Sequence, residues 1–359
     1  MSLTTANLFH SNRLLAFYHD RMPLYDIVQG HLPQKLAFDI NYEVIPVPMV
    51  GRKVVYRSFG LRIESELPLP ELPLMEPEEP LPSPALNVSF CDLGPAWSAA
   101  SPISDYIALD GETVYIRVPD TAIFAMRQGN DILISPSKEG NLDKIRLYVL
   151  GTCMGVILMQ NRLLPLHGSA VAIDGKAYAI VGHSGAGKST LTSSLLNQNY
   201  ALLSDDLIAL TLDKRGTPFV LPAYPQQKIW QETIDMLGMD AAELKPLFER
   251  ETKFAVPVQA RFCSEPLPLA GIIELVKSDH DAAAISPIDG LERFHTLLQH
   301  TFRGFLLKRL GLMEWHFSTL AQFANRIDMH RLHRPQGGNS LHRLHELMLQ
   351  TIQKERSSW

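Results

Sequence analysis

The sequence has few cysteines, no long apolar run and no excess of basic charge, and each shortage removes a class of function. Cys91, Cys153 and Cys263 are the three cysteines of the 359 residues, and they lie far apart. They show no metal-ligand spacing and are too few for a disulfide framework, so a reducing, cytoplasmic setting is expected. The most apolar run, Leu147 to Leu158, falls short of the roughly 20 residues that a membrane-spanning helix needs. No basic-then-apolar leader opens the chain, so neither secretion nor a membrane association is expected. The formal charge of −5 argues against a general nucleic-acid binder. Apolar content of 46% and charged content of 20% are ordinary for a soluble protein. The length allows two or three domains, each with its own core.

What is present centres on Gly182-His183-Ser184-Gly185-Ala186-Gly187-Lys188-Ser189, which fits the phosphate-loop spacing of two glycines, a lysine and a hydroxyl residue. The apolar run Ala177–Val181 before it reads as a strand, and Thr190–Leu196 after it reads as a helix. Glycines let successive N–H groups turn into one hollow, and the positive end of the helix faces the same hollow. Lys188 would reach the outer phosphates, and the Ser189 hydroxyl would ligate magnesium.

The predicted organisation has four parts: an N-terminal extension over 1–52, a small β-rich domain over 53–138, a phosphate-loop core over 139–284 and a helical region over 285–359. In the extension, Leu8–Tyr18 reads as a short helix and Ala37–Val47 as a strand. Prolines at 68, 70, 73, 77, 80, 82 and 84 mark extended linker or edge structure. The Asp110-Gly111 pair signals a hairpin. Residues 141–160 have helical spacing. A second Asp-Gly pair, Asp174-Gly175, joins a strand over 166–173 to the loop strand. Counting outward from that turn puts His167 opposite Gly182 and makes the two strands antiparallel.

After the loop helix, residues 200–210 read as one strand with Asp205 and Asp206 in its middle, their side chains on opposite faces. Residues 222–230 read as a loop carrying Lys228. Lys253 lies just before another strand-like run, and 269–276 reads as an apolar strand. His330 with His333, and His342 with His345, have helix-face spacing; solvated helix faces explain them better than a metal site.

Loop, acid pair and histidine make a phosphoryl-transfer set: positioning of phosphate, a metal, and a group that takes the acceptor's proton. Lys188 and the loop supply the first, Ser189 and one acid the second, and the other acid or His167 the third.

At these residues the sequence resembles a known family. The Leu-His-Gly of 166–168, the Asp-Gly hairpin, the phosphate loop and Ser204-Asp205-Asp206 look like the core of HPr kinase/phosphorylase, itself similar to the nucleotide site of phosphoenolpyruvate carboxykinase. The runs Phe59–Pro70 and Tyr224–Trp230 resemble more closely the HPr-kinase-related proteins of peptide-modifying gene sets, including lasso-peptide serine kinases. The resemblance implies an α/β fold with a mixed, partly antiparallel sheet, a small β domain before it and helices after it. It implies ATP and Mg2+ as cofactors, Asp206 as general base, Asp205 assisting the metal with Ser189, and His167 beside the transferred phosphoryl group. The nucleotide set becomes Gly182, His183, Ser184, Gly185, Ala186, Gly187, Lys188, Ser189 and Thr190. A peptide or small-protein acceptor and a homo-oligomer are also implied. No glutamate-arginine-glycine signature follows the acid pair, so phosphorylase activity and HPr as acceptor are not carried over; Glu232 is the remaining magnesium candidate. A small-molecule hydroxyl kinase, a carboxykinase-like enzyme and a nucleotide-binding regulator stay open as alternatives.

Overall fold

The computed structural model describes residues 53–76, 85–239, 244–247, 250–279, 281–337 and 340–357. The helix and strand expected within 1–52 lie outside the described residues. The fold is mixed α/β, with two large sheets and a small one.

The first sheet takes eight strands: β1 (Val54–Ser58), β2 (Leu61–Ser65), β3 (Ala85–Phe90), β4 (Ser101–Ser104), β5 (Ile107–Asp110), β6 (Thr113–Val118), β7 (Ala122–Arg127) and β8 (Asp131–Pro136), with a short helix, α1 (Gly94–Ala99), before β4. Their order is β1-β2-β3-β8-β7-β6-β5-β4, and β3 runs parallel to both β2 and β8. Helix α2 (Leu142–Tyr148) follows, capped by the Asn141 side chain, which accepts from the amides of Asp143 and Lys144. This satisfies two of the donors a helix start leaves free. A π-helical turn (Val149–Cys153) leads into α3 (Met154–Gln160). One face of the first sheet packs on these helices in a core that also takes in Leu207, Ala209 and Tyr224.

The second sheet carries the glycine-rich loop of residues 182–189. Its elements begin with β9 (Leu164–Ile173), β10 (Lys176–Val181), helix α4 (Lys188–Asn197), β11 (Ala201–Ser204), β12 (Leu207–Leu212) and β13 (Pro218–Leu221). A side ribbon follows: β14 (Gln226–Trp230), helix α5 (Gln231–Leu237), β15 (Lys245–Leu247) and β16 (Arg250–Pro257), paired in the order β14-β16-β15. The chain then returns through β17 (Leu267–Ser278), β18 (Ala284–Pro287), helices α6 (Leu291–Gln299), α7 (Leu306–Arg309) and α8 (Met313–Ala324), strand β19 (Asp328–Pro335) and helix α9 (Leu341–Ser357). β10 lies between antiparallel β9 and parallel β17. Because β17 also pairs with β13, the strands β10, β9, β12, β13 and β17 close a ring of pairings.

β10 is buried on both faces. Ala177, Ala179 and Val181 enter one core with α6 and α8, while Tyr178 and Ile180 enter another with Leu191, Leu195 and Leu196 of α4 and Leu344, Met348 and Ile352 of α9. Alternate side chains of a strand point to opposite faces, so an unbroken apolar run suits a central strand.

Three expectations need amending. Residues 222–230 are not all loop, because 226–230 form β14. The region after 284 is not simply helical: β18 crosses that boundary, and 328–335 form β19, parallel to β17 within the core sheet. His330 and His333 are therefore strand residues. The strand expected over 200–210 is two strands, with Asp205 and Asp206 in the bend between them.

Candidate active site

The loop is positioned by a hairpin. Asp174 and Gly175 sit at φ 49° and 75°, the left-handed pair that a two-residue turn between twisted strands requires. From that turn the register runs Lys176↔Ile173 outward to Val181↔Gly168, so His167 follows one position beyond the last pair and itself pairs with Leu207 of β12. Gly168 cannot carry a side chain, since a Cβ there would come within 2.3 Å of the Ile180 carbonyl oxygen.

Gly187 caps α4 at φ 106°, a conformation that only glycine adopts cheaply. A Cβ on it would also meet Arg334 Nη1 at 2.7 Å. Arg334 itself, on β19, donates to the Ala186 carbonyl oxygen at 3.0 Å and so braces the loop from outside. Lys188 is buried, and its ammonium donates to the carbonyl oxygens of Gly182 at 2.8 Å and His183 at 3.2 Å. Its ammonium therefore sits against the backbone of the loop. His183, Ser184 and Gly185 are exposed, and Ser189 and Thr190 are half-buried in the first turn of α4. The Thr190 and Thr233 hydroxyls lie 2.7 Å apart.

The acid pair divides its work through backbone shape. Asp206 takes φ 71°, left-handed and tolerable for aspartate. That kink ends β11, starts β12, and leaves one acid buried and the other at the surface of the site. Asp205 is buried and both its oxygens are committed: Oδ1 accepts from Ser169 Oγ at 2.6 Å and Oδ2 from the Lys228 amide at 2.8 Å. Burial raises its carboxyl above the ordinary range, against these two bonds. Asp206 accepts from Lys228 Nζ at 2.7 Å through Oδ2, and its Oδ1 lies 3.6 Å from His167 Nδ1. Burial works to raise its carboxyl, but Lys228, then His167 and Lys253, outweigh it and hold the group well below the carboxylate range. Burial likewise works against the Lys228 ammonium, and Asp206 more than offsets it, so the lysine is raised above its usual range.

Burial pushes His167 down to about 4, with Asp206 opposing. The ring is therefore neutral at neutral pH. Its Nδ1 lies 3.0 Å from the Asp206 carbonyl oxygen. A carbonyl only accepts, so Nδ1 carries the proton and Nε2 keeps its lone pair.

The structure thus brings His167, Asp206 and the phosphate loop together, with Asp205 one layer beneath. Glu232 is exposed in the first turn of α5. Among the described residues no group of three or more His, Cys, Asp or Glu side chains is placed to hold a metal ion. Ser189 stays the magnesium candidate. The committed oxygens of Asp205 suit a buttress better than a ligand. His345 is buried in α9 with Nδ1 3.0 Å from Gln198 Nε2, whereas His342 is exposed.

Lys228 and Lys253, placed by the sequence in a loop and before a strand, were given no role there. Residues 228 and 230 of β14 pair with Ala255 and Lys253 of β16, so Lys228, Trp230 and Lys253 share one face of the ribbon. Lys253 Nζ lies 5.3 Å from the centre of the Trp230 ring. A lysine in the five-residue strand Gln-Gln-Lys-Ile-Trp carries no signal of an acid partner 22 residues away.

No protein-family model matches the chain, and no curated relative does. Among solved structures, the Hpr(Ser) kinase/phosphatase from Coxiella burnetii is similar at 15% identity over 54% of this chain and 93% of that one, with a TM-score of 0.29. A likeness that distant leaves the functional reading to the residues. Among the described residues no helix is long and apolar enough to cross a membrane.

Proposed function

We propose that this protein is an ATP-dependent phosphotransferase that moves the γ-phosphoryl group to a hydroxyl, a serine of a peptide or small protein. The observation that supports this reading is a glycine-rich strand–loop–helix whose geometry suits phosphate, with His167 and Asp206 beside it. A nucleotide-binding regulator has no use for that second half.

The residues fit the roles. The loop amides and Lys188 hold the triphosphate, with Gly187 supplying the left-handed turn that starts the helix. Ser189 is the hydroxyl that would hold a magnesium ion, which would offset phosphate charge. The acceptor hydroxyl meets the His167–Asp206 pair. Its oxygen bonds to the γ-phosphorus as the bond to the β–γ bridging oxygen breaks, and its proton passes to that pair. Lys228 keeps Asp206 ionised and aimed, and Asp205 holds the Lys228 backbone in place. General-base help of this kind is worth ~100- to 10,000-fold in rate.

The test is mass spectrometry of candidate serine peptides and proteins incubated with ATP and magnesium. A gain of one phosphate on a serine, lost with Lys188→Met, is the expected result. Phosphorylation of small hydroxyl compounds alone would move the acceptor class. Nucleotide binding with no transfer to any acceptor would overturn the reading.

A further inference from the structure

The segment that ends α6 touches both halves of the site, and nothing above gives it a role. Gln299 Nε2 lies 2.8 Å from His183 Nε2 in the phosphate loop. The His300 carbonyl oxygen accepts from the His167 amide at 2.9 Å, and the His300 ring meets the His183 ring edge-on at 5.6 Å between centroids. The next residues stay on the same strand: Thr301 bridges to Leu166, and the Phe302 amide donates to the Pro165 carbonyl oxygen at 2.9 Å.

His300 is itself anchored. It is buried, with Nε2 3.0 Å from Glu274 Oε1. Glu274 is also buried, on β17, in register with Val181, the last residue before the loop. Its other oxygen accepts from Arg331 Nε at 2.7 Å, and Arg331 Nη1 donates to Glu292 Oε1 at 2.7 Å in the first turn of α6. Arg331 thus fastens α6 at its start and, through Glu274 and His300, at its end. A buried carboxylate so near a cradle for phosphate is electrostatically adverse and costly to bury. It fits this place as the fixed point that orients His300.

We propose that His300 and Glu274 are a positioning pair that sets the spacing between the phosphate loop and His167. This rests on the phosphotransferase reading only for its kinetic consequence; the spacing itself is a property of the fold. Misplacing a catalytic group by about 1 Å costs on the order of 100-fold in rate without loss of ligand affinity. The pair therefore acts on kcat and leaves nucleotide binding alone.

The experiment compares His300→Phe, which keeps the ring volume but no donor, with His300→Gln, whose amide can donate to Glu274. Expected are a kcat lowered ~10-fold or more in His300→Phe, a KM for ATP within about threefold of the parent, and recovery of most of kcat in His300→Gln. The ring resonances of His167, read by histidine-labelled NMR without nucleotide, should shift in His300→Phe and return in His300→Gln; His183 touches the replaced ring itself and so does not serve as the reporter. Should His300→Phe not fold, Glu274→Gln removes the charge at constant shape and is read the same way. Unmoved ring resonances overturn the pair, whether or not the protein transfers phosphate. Equal losses in kcat and in nucleotide affinity, or no rescue by glutamine, overturn it too. Moved resonances in a protein that phosphorylates nothing would retain the pair and reject the phosphotransferase reading.

Discussion

The Lys228–Asp206 pair makes an asymmetric prediction. At 2.7 Å and an effective dielectric of about 20, the gross attraction is about 6 kcal/mol. Desolvation of the two charges offsets most of it, so the informative quantity is what each single change leaves behind. The Lys228 side chain is 8% exposed and that of Asp206 30%. Asp206→Asn strands a buried ammonium, which costs about 3 to 5 kcal/mol. Lys228→Met strands a carboxylate that water already reaches, and about 1 to 2 kcal/mol is expected. Asparagine tolerates the left-handed backbone at 206, so strain does not confuse the comparison. In the double variant no charge is stranded, and its loss should fall short of the sum by at least about 1 kcal/mol. Urea unfolding at pH 7 for the four proteins reads all of this. Equal small losses for both single variants, and a double variant that simply adds, would refute the pairing.

Further outcomes follow from the same geometry. Asp206→Asn should lower phosphoryl transfer by ~100-fold or more while nucleotide affinity holds, as for loss of a proton-accepting group; the check is kcat beside a binding titration. Asp205→Asn should lower stability and leave the magnesium dependence of the rate unchanged, because the residue is buried and each of its oxygens already holds a protein donor, Ser169 Oγ and the Lys228 amide; a raised magnesium requirement would return it to the metal. Gly187→Ala should weaken nucleotide binding through its φ of 106° and the Arg334 contact, read by titration with ATP. Burial pushes His316, which has no exposed surface, from 6.5 down to about 4. The unfolded chain then binds the extra proton first, so stability is full above pH 6.5 and drains as pH falls towards 4. At about 1.36 kcal/mol per pH unit that drain is about 3 kcal/mol, and His316→Gln should remove this share from urea midpoints taken against pH while the matching share of His167 remains.

The loop, its strand and its helix were legible because glycine, lysine and hydroxyl spacing encodes local geometry. The Asp174-Gly175 turn then carried the register to His167 with no tertiary information. The acid pair was harder. An apolar run on each side suggested one strand, and nothing in Ser-Asp-Asp-Leu reveals the φ of 71° that breaks it. β19 misled for a different reason. Its buried residues Met329, Leu332 and Pro335 recur every third position, which imitates a helix. In the structure Met329 and Leu332 face opposite cores, a pattern a strand shows when both faces are covered. Lys228 and His300 were invisible because their partners, Asp206 and Glu274, reach them only through tertiary packing.

The most direct test of the phosphate cradle is a calorimetric titration of ATP with magnesium into the parent protein and Lys188→Met, both checked as folded. The cradle predicts saturable single-site binding in the parent and a loss of at least ~10-fold in affinity in the variant, about 1.4 kcal/mol. No binding to the parent, or the same affinity in both, would contradict it.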